Sequence, residues 1–228
     1  LTSAGEELLA EAVPLIESFL RLESRAKSTA QNEALQIRMV VDALFPKERL
    51  FSALSKFAMR YPHISVTYKE TVRSYYEDIV SNAGFDIAIV ITEAGAPARP
   101  VANIKLLAVA ASDHPLAMAT PPVSNDLINS YPRAEIRNFS ISKKLPEVQG
   151  RPWLTNSFEA VIDAVKSGLC HALLPEHLIR LDLQQGTIVP LRLAERGERF
   201  VPLGLVMGAT SVRPTPIDIL CDLIAEAE

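Results

Sequence analysis

Two charged side chains stand where an α/β chain places its chemistry. Asp42 closes the apolar run Leu35–Val41, and Arg73 follows the alternating residues Ile64, Val66 and Tyr68. In open α/β sheets small ligands sit at the carboxyl ends of strands, beside helix N-termini whose backbone N–H groups are free. A carboxylate at such a strand end serves either as a catalytic acid or as the cap of the following helix, and Asp42 fits both roles. Arg73 fits a solvated surface charge or the partner of an anionic ligand, because a guanidinium pairs well with a carboxylate. Asn156, Ser157 and Phe158 open a later helix. They make either a plain N-cap with a core Phe, or polar groups and an aromatic wall that orient a carboxylate. Cys170 and His171 are adjacent, but neighbours in a strand point to opposite faces and cannot pair as nucleophile and base. His63, His114, His171 and His177 show no metal-ligand spacing, so no metal site is expected. With no Gly-rich phosphate loop and no Ser elbow, no cofactor is expected either.

The elements that must position these residues alternate between strand and helix. Strand 35–41 runs through Asp42-Ala43-Leu44-Phe45-Pro46 into a helix over 47–60, whose apolar face is Leu50, Phe51, Leu54, Phe57, Ala58 and Tyr61. Pro46 suits the first turn of that helix. Tyr61-Pro62 stops it. Strand 64–69, helix 74–83 and strand 86–91 follow, the last a continuous apolar run typical of a strand covered on both faces. Thr92–Pro100 reads as a loop crossing between lobes. A second cycle comprises strand 104–111, a short helix near 124–130, strands near 135–141 and Trp153, a helix from Phe158 to Gly168, and strand 169–174. A short helix at 176–182, strands 187–192 and 200–207, and a helix over 214–226 complete the chain. Such alternation implies a mainly parallel sheet with right-handed crossovers, in two similar lobes.

Composition narrows the function classes. The 228 residues are 48% hydrophobic and carry a net charge of −4, which disfavours gripping a nucleic-acid backbone with this chain alone. No apolar run approaches the roughly 18 residues of a membrane span, and no signal peptide is visible, so a cytoplasmic location without membrane contact is expected. Cys170 and Cys221 sit in apolar segments and read as buried, reduced thiols. Leu1 in place of Met reads as a processed or cut chain.

The first residues form an amphipathic helix. Ser3 and Glu6 fit a capping box, and Leu8, Ala12, Leu15, Phe19 and Leu22 repeat as a heptad seam widened by Leu9, Val13, Ile16 and Leu20. Either a helix of a second subunit or the rest of the same domain must cover so broad a stripe. Pro14 interrupts it, and the polar stretch Arg25–Glu33 reads as a hinge.

In order and spacing these pieces resemble the effector-binding part of LysR-type transcriptional regulators. Leu1–Gly5 with the apolar helix resembles the end of a winged helix-turn-helix and its linker helix. Phe57 with Tyr61-Pro62, then Gly84-Phe85-Asp86-Ile87-Ala88-Ile89, resembles the first regulatory lobe. Asp113-His114-Pro115-Leu116 resembles the start of the second lobe, and Val165–Gly168 with Ala172–Pro175 its later helix-to-strand turn. Cys170 departs from the Gly common there. The resemblance implies an α/β, periplasmic-binding-protein-like (type 2) fold with two Rossmann-like lobes, central mixed sheets and a preceding linker helix. It divides the chain into linker helix and hinge 1–33, lobe I at 34–95 plus 193–228, and lobe II at 96–192. It places a small effector against Asp42, Ala43, Leu44, Arg73, Ile91, Thr92, Asn156, Ser157 and Phe158. Leu44, Ile91 and Phe158 suit a partly apolar organic acid. It further implies a homo-oligomer, dimer or tetramer, with the linker seam as dimerisation helix and operator DNA bound only through an N-terminal domain this chain lacks. A solute-binding protein of a transport system, or an enzyme on the same fold, remains as an alternative; the enzyme would need a convergent catalytic set that is not found.

Overall fold

The computed structural model describes residues 36–80, 84–138, 152–194, 199–208 and 215–227, together with Thr2 and Ala12. Ala12 has helical backbone; Leu8, Leu15, Phe19 and Leu22 of the expected seam lie outside the described residues. Strand β1 (Gln36–Asp42) alternates as far as Val41, so Ile37, Met39 and Val41 enter the core from one face. Helix α1 (Lys47–Arg60) begins after Pro46, which stands at the N-cap position and not inside the first turn as expected. Its buried stripe is Leu50, Ala53 and Phe57, with Leu54 and Tyr61 at the flanks. Phe51 and Ala58, expected on that face, are exposed, because the stripe turns one residue away from them. The stripe packs beneath β1 with Leu220, Cys221 and Ile224 of the C-terminal helix α7 (Thr215–Glu226). β2 (Ser65–Thr71) lies parallel to β1 at one sheet edge. A short helix α2 (Tyr76–Val80) leads towards β3 (Ile87–Ile91), all five of whose residues are buried. Ile87, Ile89 and Ile91 face the α1 core, and Ala88 and Val90 face a smaller cluster with Phe85 and Val206.

The sheet continues as β2-β1-β3-β9-β4-β7-β5-β6, with β8 (Ile188–Pro190) also paired to β4. It is mixed and not mainly parallel. β1 pairs in parallel with β2 and β3, and β5 (Arg133–Ile136) with β6 (Pro152–Thr155) and β7 (His171–Pro175). All pairings of β4 (Arg99–Ala111) are antiparallel, as is β3 with β9 (Arg199–Met207). The expected loop 92–100 therefore ends early. β4 is one strand of 13 residues. It gives Val101 and Ile104 to the α1 core and Val109 to a second core. That second core gathers Ala134, Ile136, Ala172 and Leu174 from β5 and β7 around Val161 and Val165 of helix α5 (Phe158–Lys166). α5 ends at Gly168, whose φ of +74° favours glycine. Leu169 after it is exposed, so the expected strand 169–174 starts only at His171. Short helices α3 (Pro115–Met118) and α4 (Asn125–Asn129) cover a third cluster around Ala110, Leu116 and Leu191. A 3-10 turn (Glu176–Ile179) and helix α6 (Arg180–Gln185) connect β7 to β8.

β9 returns between β3 and β4, and Gly204 makes its closest approach. A Cβ there would lie 2.6 Å from Thr92 Cγ2 and 2.7 Å from Ala98 Cβ, both on stiff, short side chains. Gly204→Ala should therefore lower stability by about 1–3 kcal/mol, the usual cost of overpacking. A urea unfolding midpoint equal to the parent's would show that this crossing is looser than described.

Candidate functional site

Three strand ends are tied together at one place. Asp42 is fully buried at the end of β1. Its Oδ1 accepts the Leu44 N–H at 3.0 Å and its Oδ2 the Ser74 N–H at 2.7 Å. The buried Ser74 in turn gives its carbonyl to the Ile91 N–H at 2.8 Å, and Ala43 N–H reaches Thr71 O at 2.7 Å. The loops after β1, β2 and β3 thus share one polar knot. Burial pushes the Asp42 carboxyl up to about 6, against the pull of the two N–H donors and of Arg73. Asp42 does not cap α1, which has no side-chain cap. Enclosed as it is, its carboxylate holds the loops from behind.

Arg73 is what the knot presents. Its backbone takes φ = +49°, a left-handed conformation that costs a non-glycine residue about 1 kcal/mol. On one side Val72 packs on the second core; on the other the Ser74 N–H is held by Asp42. The guanidinium donates from Nη2 to Tyr75 Oη at 3.2 Å and makes a long contact from Nη1 to Ile136 O at 3.5 Å. Arg73 thereby reaches from the β1–β3 side of the molecule to β5.

Around it opens a cleft of about 860 Å³. Of the residues named from the sequence, Leu44, Arg73, Ile91 and Phe158 line it. Phe158 packs on both main cores and forms a wall between them. Asp42, Ala43, Thr92, Asn156 and Ser157 are absent from the lining. Asp42 and Ala43 are enclosed behind Leu44. Thr92 turns to β9, with its N–H on Pro202 O at 3.0 Å. Ser157 caps α5, its Oγ accepting the Ala160 N–H at 3.2 Å, and Asn156 is exposed beside it. Sequence reasoning missed Tyr75, Arg133, Glu135, Ile136 and His171, all in the lining. The alternation of charge in Arg133-Ala134-Glu135-Ile136 was the available signal for two of them.

Among the described residues, four arginines border the cleft, Arg73, Arg133, Arg192 and Arg199, and one acid, Glu135. Its field therefore favours an anion. Cys170 and His171 diverge: the thiol packs in the α5 core, where burial raises its pKa, while His171 Nε2 meets Ile128 O at 3.1 Å. Among the described residues no group of three His, Cys, Asp or Glu side chains converges on one point.

The sequence matches the family model described as "LysR substrate binding domain" over residues 30–228. That span takes in the pieces at 57–62, 84–89, 113–116 and 165–175 that suggested the resemblance. The HTH-type transcriptional regulator PunR of Escherichia coli K12 is 24% identical over 206 residues, 85% of this chain and 65% of PunR. The chain thus spans about two thirds of that relative's length. Among solved structures, full-length AphB, the Vibrio cholerae virulence activator, superposes with TM-score 0.66 at 17% identity, over 98% of this chain and 79% of AphB. The regulatory domain of CcmR from Synechocystis PCC6803, in complex with 2-PG, gives 0.63 at 21% identity, over 85% of this chain and 97% of that one. These likenesses carry the mixed, periplasmic-binding-protein-like α/β fold.

Proposed function

This chain belongs to the LysR substrate-binding domain family, and from that premise we propose that its cleft receives a small organic anion and reports its presence to a DNA-binding domain of the complete protein. The carrying observation is the Asp42–Ser74–Ile91 knot, which holds Arg73 in a costly backbone conformation at the mouth of an arginine-bordered cleft. Strain of this kind is kept where the surroundings enforce it, commonly at binding sites. Leu44, Ile91 and Phe158 supply the apolar wall, so a partly apolar acid fits better than a polar one. On this proposal lobe I comprises 34–95 with 193–228 and lobe II 96–192, and β4 gives residues to both cores. A ligand touching both Arg73 and β5 draws the lobes together.

The cleft binds and does not turn its ligand over. PunR, to which the chain is similar, is an HTH-type transcriptional regulator. A cytoplasmic protein suits this role, and no helix among the described residues is long and apolar enough to cross a membrane. A thermal-shift screen of small carboxylic acids against their amides tests the binding reading. The acids should raise the melting temperature and the amides should not, because a ligand of the folded state alone stabilises it. Equal shifts, or steady consumption of a bound acid, would overturn it.

We further propose that, in the complete protein, the helix of the linker-and-hinge segment 1–33 pairs two subunits through Leu8, Ala12, Leu15, Phe19 and Leu22 and sets the spacing of two DNA-reading heads. Lobe closure shifts that spacing through a modest coupling free energy. Changing Leu15 and Phe19 together to Glu should weaken self-association, visible as a lower sedimentation coefficient. An unaltered profile with normal operator binding by the full-length double variant would remove the helix from this role.

A further inference from the structure

On β5, which Arg73 reaches at Ile136, Arg133, Glu135 and Arg137 alternate with the buried Ala134 and Ile136, so the three charges share one face of β5 and its extension. Glu135 accepts from Arg133 Nη2 through Oε1 and from Arg137 Nη2 at 3.3 Å through Oε2. All three side chains are partly buried, at 29%, 19% and 12% exposure for Arg133, Glu135 and Arg137. Glu135 thus accepts from both arginines. The Arg133 fork is only half used: its Nε is buried and has no hydrogen-bond partner. A guanidinium holds a carboxylate most strongly through two parallel donors, and a buried donor without an acceptor is costly. The arrangement is that of an anion site whose occupant is a side chain of the protein itself.

We propose that Arg133 is a second anion subsite of the cleft, and that Glu135 holds the place of an acidic group of the ligand. This rests on the cleft reading above and deepens it. When the ligand enters, the Arg133 fork turns to take its carboxylate through Nε and Nη2, and Glu135 withdraws to Arg137. Arg73 touches Ile136 O, three residues along the strand from Arg133, roughly 10 Å at 3.3 Å per residue. Arg133 spans part of that distance itself, since its Nη2 meets Glu135, two residues nearer to Ile136, so one short molecule reaches both. The ligand class is therefore a short aliphatic chain with an acidic group at each end, its middle lying against Leu44 and Phe158. Glu135 also gives selectivity: a single acid held by Arg73 leaves the Arg133–Glu135 contact intact and gains nothing there.

Calorimetric titration of glutarate, with butyrate as the single-acid control, tests this. The parent protein should bind glutarate at least tenfold more tightly than butyrate. Glu135→Gln removes the competing charge and should widen that ratio severalfold. Arg133→Met should bring it close to one. Melting curves of both variants without ligand establish that each is folded, and Glu135→Gln carries the test if Arg133→Met is not. A ratio unchanged in the variants, or near one in the parent while butyrate binds, overturns the second subsite and leaves the cleft reading standing. Failure of both acids to bind the parent and Glu135→Gln overturns the two together.

Discussion

Replacing Asp42 with alanine should cost the protein roughly 2–4 kcal/mol of folding stability. Its carboxylate is the acceptor for two N–H groups inside the core, those of Leu44 and Ser74. Leaving a buried donor without an acceptor costs about 1–3 kcal/mol each, less where the loops relax. Asp42→Asn keeps one acceptor oxygen and should lose about half as much. The pH dependence separates the charge from the hydrogen bonds. The folded carboxyl titrates at about 6, above its ordinary 3.8, so the folded state binds the proton more tightly than the unfolded state. The resulting stabilisation is fully present below about pH 4 and is lost as pH rises through 6, by roughly 3 kcal/mol in all. In the parent, the urea midpoint should carry this decline between pH 4 and 7, and in Asp42→Asn it should be missing. Parallel curves for the two proteins would mean that Asp42 is not the group responsible.

Arg73→Ala should weaken binding of an anionic ligand by about 1.5–3 kcal/mol, the range for a charge-assisted hydrogen bond. That is roughly a 10- to 150-fold rise in Kd. Stability should fall only slightly. The residue is half-buried, contrary to the exposed position its loop suggests, and alanine forfeits the contacts to Tyr75 and Ile136 while keeping the left-handed backbone. Arg73→Gly should lose the same affinity yet be more stable than Arg73→Ala by about 1 kcal/mol, because glycine accepts a positive φ without strain. Unchanged affinity in both variants, measured by calorimetry, would remove Arg73 from the site.

Local periodicity made the β1–β3 half readable. α1 lies where its spacing of apolar residues predicts, and Ile87–Ile91 is the doubly covered strand its composition implies. β4 was harder because Pro100 imitates a loop signal. The proline is tolerated because the register with β9 shifts between Pro100 and Ala102, a β-bulge that spares the ladder a missing donor. The antiparallel pairings were hidden for a related reason: β9 meets β3 and β4 only after more than ninety residues of chain, and alternation along a sequence carries no mark of such a return. The role of Asp42 was equally out of reach. Its acid type and strand-end position suggested a cap, whereas its deciding partner, Ser74, is 32 residues away. Arg133 and Glu135 were visible as alternating charges, but with β5 placed two residues late their shared face went unnoticed.

Amide spectra of the isotopically labelled protein, titrated with whichever acid stabilises it most in the thermal-shift screen, test the central claim most directly. Binding between the strand ends should move the resonances of Leu44, Arg73, Ser74, Tyr75, Ile91 and Phe158 together, on one saturable curve, and Arg73→Ala should shift that curve to at least tenfold higher concentration. Saturable shifts confined to other parts of the molecule, with these six amides unmoved, would contradict the account.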